Sequence, residues 1–208
     1  MNTGLYVQYG CGWCTPEEWL NFDASPTLRL EKIPGIGRFI KRNPKPFPPN
    51  VRYGDILLGL PVNPNSCKGV YCSHVLEHFS HEDLKIALRN THALLAEEGR
   101  FRFVLPDLRY YAVRYMDDYS AVSACEFMKE TGLGQWRRGK KLGEFLAEWL
   151  GNTRHRWMWD FASMQAELAD AGFRNIRKAF FNDSEDPMFL RVEEKERWEN
   201  CLGFECGI

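Results

Sequence analysis

Three groups of residues in this chain have types and spacing suited to chemistry. The first is Gly10-Cys11-Gly12, which closes the apolar run Leu5-Tyr6-Val7-Gln8, with Asp23 ending a second run, Trp19-Leu20-Asn21-Phe22. Glycines let backbone approach a ligand closely, and a carboxylate can accept hydrogen bonds from two ribose hydroxyls. A strand, a glycine-rich turn, a second strand and an acidic tip is how a doubly wound sheet holds an adenosine-type ligand. The second group, Cys11-Gly12-Trp13-Cys14, is a CxxC pair of the kind that is redox active at a helix N-terminus, and Thr15-Pro16-Glu17 reads as a helix start. The third, His74-Val75-Leu76-Glu77-His78, matches HxxEH, whose histidines would share a helix face and bind zinc with Glu77 as base.

Context ranks these readings. The CxxC overlaps the glycine turn, no second element of a thioredoxin-like fold follows, and Cys201 and Cys206 are too loosely spaced to complete a four-ligand zinc site. The HxxEH stretch sits at a strand-to-helix turn without an evident third ligand, so no metal is expected and Glu77 and His78 read as a hydrogen-bonded turn. A redox protein and a zinc hydrolase are therefore the minor alternatives.

The elements around these groups follow from pattern. Residues 51–55 read as a third strand ending in Asp55, and Gly69-Val70-Tyr71-Cys72 as a central fourth. The stretch 26–50 is rich in Pro, Lys and Arg, and its prolines predict a mostly extended connection without a long helix. Ser80-His81-Glu82-Asp83 resembles a capping box, after which Leu84, Ala87, Leu88, Thr91 and Leu95 fall on one helix face. Gly99 lies beyond that helix, and residues 101–105 form a fifth strand stopped by Pro106. This order predicts a mainly parallel sheet with crossovers. Helices are expected over 109–117, 121–130 and 142–150, interrupted at Gly132-Leu133-Gly134. Asp160 should cap a last helix that ends near Gly172, with 175–181 and 200–208 as an antiparallel hairpin at one sheet edge. Arg102, alternating into a central strand, must be paired if buried, and Glu77 is one possible partner. The basic run 137–141 reads as a solvated loop, with contact to an anionic acceptor as the minority reading.

With 208 residues, 44% of them hydrophobic and 14% aromatic, the chain can bury one good core, which predicts a single domain over 1–208 with a helical insertion at 106–160. Lys+Arg 27 against Asp+Glu 28 leaves a formal charge of -1, which argues against nucleic acid or an anionic membrane as partner. Seven cysteines, no leader-like pattern in Met1-Asn2-Thr3-Gly4 and no run of membrane-spanning length predict a cytoplasmic protein with reduced thiols.

Together these blocks resemble the class I S-adenosylmethionine-dependent methyltransferases, and more narrowly the compact bacterial methyltransferase-domain proteins of the type 11 group. The resemblance is carried by Gly10-Cys11-Gly12 through Asn21-Phe22-Asp23-Ala24, by Gly54-Asp55-Ile56 with Leu60-Pro61, by residues 70–78, by residues 101–108, and by 155–160 with Ala171-Gly172-Phe173. It implies a seven-stranded Rossmann-like α/β sheet with one antiparallel strand near the end, and S-adenosylmethionine as cofactor. By the same resemblance Gly10, Cys11 and Gly12 would pass beside its methionine part, Asp23 would take the ribose, and Asp55 and Ile56 the adenine. Ser73 and His74 would face the reacting centre. His74 is then the first candidate base and Asp107 the second, if the acceptor must lose a proton. His155 and Trp157 would contact the acceptor, with 106–160 as its lid. Proteins of the family it resembles often belong to cell-surface glycan pathways, which suggests a small or glycan-linked acceptor by analogy. The rival from another class is a non-catalytic partner module that keeps the fold. Two departures stand out: Trp13-Cys14 replaces a third glycine, which bears on cofactor affinity, and Ala96-Glu97-Glu98-Gly99-Arg100 replaces a Lys-Pro-Gly-Gly turn.

Overall fold

The computed structural model describes residues 4–33, 35, 45–134 and 154–208. Its strands are β1 (Leu5–Tyr9), β2 (Leu20–Asp23), β3 (Val51–Tyr53), β4 (Cys67–Ser73), β5 (Leu95–Pro106), β6 (Arg174–Ala179) and β7 (Cys201–Gly207). They form one sheet in the order β3-β2-β1-β4-β5-β7-β6. The first five pair in parallel, and β7 runs antiparallel between β5 and β6. This is the expected doubly wound α/β sheet. The helices are α1 (Pro26–Glu31), α2 (His81–Leu94), α3 (Leu108–Asp117), α4 (Ser123–Glu130) and α5 (Phe161–Asp170). Ser80 and Asp160 cap α2 and α5 as expected; Ser80 accepts from the Asp83 N–H, whereas the reciprocal bond of a capping box is made at α5, by Ser163. The helix expected at 142–150 and the basic run 137–141 lie outside the described residues.

The period-2 alternation of the strands divides the core into two faces. Val7, Tyr9, Phe22, Val70, Cys72, Phe101 and Phe103 join Leu84 and Leu88 of α2 and Met164 and Leu168 of α5 in one cluster. On the other face, Tyr71, Val104 and Ala179 pack with Trp19, Phe189, Val192 and Trp198. Here residues 180–200, with 3-10 turns at Pro187–Arg191 and Lys195–Arg197, take the place of a covering helix. The last two strands pair antiparallel at one sheet edge as expected, joined not by a short turn but by a connection that covers this face.

A buried cation fixes that connection. Arg102 donates to Glu193, to Asp183 at 2.8 Å, to Glu205 at 3.0 Å and to the Phe180 carbonyl at 2.6 Å. Its guanidinium lies 4.8 Å from the Trp198 ring centroid. Glu77 is not the partner: strand alternation turns Arg102 onto the face covered by 180–200, which brings carboxylates of its own.

Three local expectations change. Residues 11–19 form turns and not a helix: Gln8 Nε2 donates to the Cys14 carbonyl at 2.7 Å, and Asn21 Nδ2 to those of Pro16 and Trp19 at 3.0 Å each. Buried amides on β1 and β2 thus satisfy carbonyls that helical bonds would otherwise take. Leu95 is not on the α2 face; it turns extended and opens β5, whose pairing with β4 shifts register after the Leu95 partner Cys67, so 96–100 is an irregular strand segment. The third strand stops at Tyr53, which leaves Asp55 in the following turn.

Candidate active site

The carboxyl ends of β1, β2 and β4 meet at a cleft of about 260 Å³, whose lining includes Gly10, Asp23, Asp55, Ile56, His74 and His78. Crevices at this edge are where open α/β sheets bind ligands. The turn after β1 places the Asp23 carboxylate: Oδ2 accepts from the Gly12 N–H at 3.1 Å and Oδ1 from the Ser25 N–H at 2.7 Å. Burial pushes its pKa up, and the two backbone donors oppose that shift. Asp55 is held similarly, accepting from the Leu57 N–H at 2.9 Å. Gly10 has φ +65°, and a Cβ there would lie 2.3 Å from Val75 Cγ2, so only glycine lets the turn close onto the end of β4.

Other expected site residues point elsewhere. The Cys11 side chain packs with Leu28 and Val51 beneath α1. Trp13 stacks on Phe47, with ring centroids 5.1 Å apart, so the missing third glycine does not fill the cleft. Burial pushes the Cys11 and Cys14 thiols up, the reverse of the thiolate character a redox CxxC needs. Ser73 Oγ accepts from Arg197 Nε at 2.7 Å and turns towards 180–200. Asp107 caps α3 through the Arg109 N–H at 2.9 Å and is not part of the cleft lining.

His74 lines the cleft with φ +53°, a conformation that non-glycine residues rarely adopt. Its Nε2 lies 2.9 Å from the Arg197 carbonyl and its Nδ1 3.2 Å from Glu77 Oε1. Burial works to lower its pKa, but contacts with Cys201, Glu77 and that carbonyl push it up to about 10. His74 and His78 do not share a helix face, because only a 3-10 turn, Leu76–His78, follows His74. Instead the Glu77 carbonyl accepts from the N–H groups of Arg156 (2.8 Å) and Trp157 (3.2 Å), which draws His155 towards Glu77 and His78. Burial holds the His155 pKa down. Trp157 is half exposed, 5.0 Å from the His81 ring and 5.8 Å from Trp159. His78 is a titratable lining residue that sequence reasoning passed over as a site residue, although the HxxEH match had marked it.

Residues 7–103 match the family model described as a methyltransferase domain. That span holds the glycine turn, Asp23, Asp55 and His74, all at the edge of one cleft. The chain carries a methyltransferase domain, of the S-adenosylmethionine-dependent kind. Its cofactor is S-adenosylmethionine. Solved structures of similar fold include a possible histamine N-methyltransferase from Thermotoga maritima, at 14% identity and TM-score 0.51, covering 99% of this chain and 83% of that one. The methyltransferase domain of the citrinin polyketide synthase aligns at 14% identity and TM-score 0.51, over 100% of this chain but 48% of that one. A Haloferax volcanii methyltransferase in complex with its Trm112 activator aligns at 13% identity and TM-score 0.50, covering 98% and 82%. These likenesses concern the fold. The comparison with curated proteins returned no match. No described helix is long and apolar enough to cross a membrane.

For this methyltransferase, Gly10→Ala should lower thermal stability and cofactor affinity together. The left-handed φ and the Val75 contact both oppose a side chain, at a combined cost above about 1 kcal/mol. Adding Val75→Ala should recover the part due to crowding and leave the backbone strain, which melting curves of the two variants will separate.

Proposed function

We propose that the cleft holds S-adenosylmethionine with its ribose on Asp23, its adenine against Asp55 and Ile56, and its methionine part beside Gly10. One observation carries this reading: the Asp23 carboxylate is aimed by two backbone N–H groups and still borders the cleft, so its remaining lone pairs are free for two hydroxyls. His74 acts here as a positioning residue. A carbonyl can only accept, so its Nε2 carries a proton towards Arg197, and its Nδ1 faces a carboxylate; neither nitrogen offers a lone pair to an acceptor. Methyl transfer from a sulfonium is an in-line displacement, and alignment can supply roughly 7–11 kcal/mol of such a barrier in favourable intramolecular cases.

The acceptor enters past His78 and the 154–159 segment. An exposed Trp157 ring beside His81 gives an apolar platform, which favours a small cyclic or glycan-linked acceptor. The open cleft speaks for an enzyme over a silent partner module. Calorimetric titration with S-adenosylmethionine and S-adenosylhomocysteine should show binding to both. Labelled methyl transfer into a panel of sugars, glycosides and small phenols should then find the acceptor. Absence of cofactor binding would overturn the site assignment; labelling confined to the phenols would overturn the glycan reading.

A further inference from the structure

Just outside the cofactor cleft, Glu77, His78 and His155 converge, one ligand-capable atom of each lying within 4.8 Å of the others. Both Glu77 carboxylate oxygens are buried without a hydrogen-bond donor, although the carboxylate lies 3.2 Å from His74 Nδ1 and 3.9 Å from His155 Nε2. His74 and His155 face only Oε1, so Oε2 stays buried and unsatisfied, which is costly. Both histidines are prepared to supply a ring nitrogen. His78 Nδ1 lies 2.9 Å from the Arg154 carbonyl, and His155 Nδ1 lies 2.7 Å from the Thr131 carbonyl. Because carbonyls only accept, each Nδ1 must carry the proton, which leaves each Nε2 with a free lone pair. This is the outer-shell arrangement that fixes tautomer and orientation in metal-bound histidines. Gly132, at φ +67°, lets the chain pass against the His155 ring, where a Cβ would lie 2.8 Å from Nδ1.

We propose that Glu77, His78 and His155 form a site for a divalent first-row transition metal, such as zinc, with its open position towards the acceptor side of the cleft. Two imidazoles and one carboxylate are the protein ligands of a catalytic-type zinc site, which keeps its fourth position for water or substrate. Ligand atoms about 3.4 Å apart suit tetrahedral zinc, so the three side chains close by about an ångström on the ion. His78 lines the cleft and also belongs to this cluster, so the open position would take water or an oxygen or nitrogen donor of the acceptor. That last role rests on the methyltransferase reading; the metal site itself does not.

The test is metal binding by the full chain, after chelation and under reducing conditions. Co²⁺ and Zn²⁺ are titrated into the wild type, His78→Ala, His155→Ala and Glu77→Gln, with S-adenosylmethionine affinity measured on the same samples. The expected result is one equivalent per chain, a visible cobalt band without thiolate charge transfer, and loss of binding in each variant. His78 is partly exposed, so its variant should keep the fold, and an unchanged melting temperature in the absence of metal will show that it does. No metal uptake, uptake unchanged in the variants, or a cobalt spectrum dominated by thiolates would overturn the site. Metal bound without cofactor binding would sink the methyltransferase reading and leave this one standing.

Discussion

Asp23→Ala should weaken S-adenosylmethionine binding by roughly 1.5–3 kcal/mol, or roughly 10- to 150-fold, the range for a hydrogen bond to a charged group. The effect should be large because the carboxylate is prepared before the ligand arrives: Gly12 and Ser25 fix both oxygens, and little conformational freedom remains to be lost on binding. Alanine also leaves those two N–H groups without their acceptor, so the melting temperature must be measured beside affinity. Asp23→Asn separates the effects, because an amide oxygen can still accept one of the two backbone bonds but is a poorer partner for a pair of hydroxyls. Burial raises the Asp23 pKa, so its carboxylate protonates at higher pH than an ordinary aspartate. Binding should accordingly fade towards acid pH from above the usual range, and calorimetry across pH will show it. Affinity unchanged in both variants would remove Asp23 from the site.

Arg102→Met should be the most damaging single change to stability, costing about 3–5 kcal/mol and lowering the melting temperature by roughly 6–20 °C for a chain of this size. The loss is not mainly that of the ion pairs themselves. Methionine leaves Glu193 and Glu205 buried without their shared cation, and the Phe180 carbonyl without its donor. Adding Glu193→Met removes the worst of the uncompensated charge and should restore part of the stability. A double variant as unstable as the single one would show that the network matters through packing against Trp198 instead. Cofactor affinity should fall with Arg102→Met too, because the segment it anchors carries Arg197, which holds Ser73 and the His74 ring.

Much of the fold was legible because strand and helix periods are local signals. The runs ending at Tyr9 and Asp23, the Ser80 and Asp160 caps and the apolar face of α2 each need only nearby residues to be read. That Asp23, Asp55, Ile56 and Gly10 gather at one cleft was legible for the same reason: the turns that follow parallel strands open on one edge of the sheet. What escaped was set by distant contacts. Ser73 and Asp107 sit at strand ends as a reacting group should, but Arg197 and the α3 N-terminus take up their oxygens. The charged partners of Arg102 come from residues 183–205, and no local pattern assigns a charge 81 or more residues away to a given face. The meeting of His155 with Glu77 and His78 depends on two backbone bonds to the Glu77 carbonyl, which leave no trace in side-chain spacing.

The use of residues 180–200 as the cover of one sheet face also sets an order in time. β5 has its full set of neighbours only after β7 has slotted in beside it, and the wall of the cleft at Ser73 and His74 is fastened by Arg197. A ribosome that has released β1 to β5 has thus made every residue assigned to the cofactor, yet not the clasp that shapes their pocket. The nascent chain must extend past Arg197 before the wall at Ser73 and His74 is fastened.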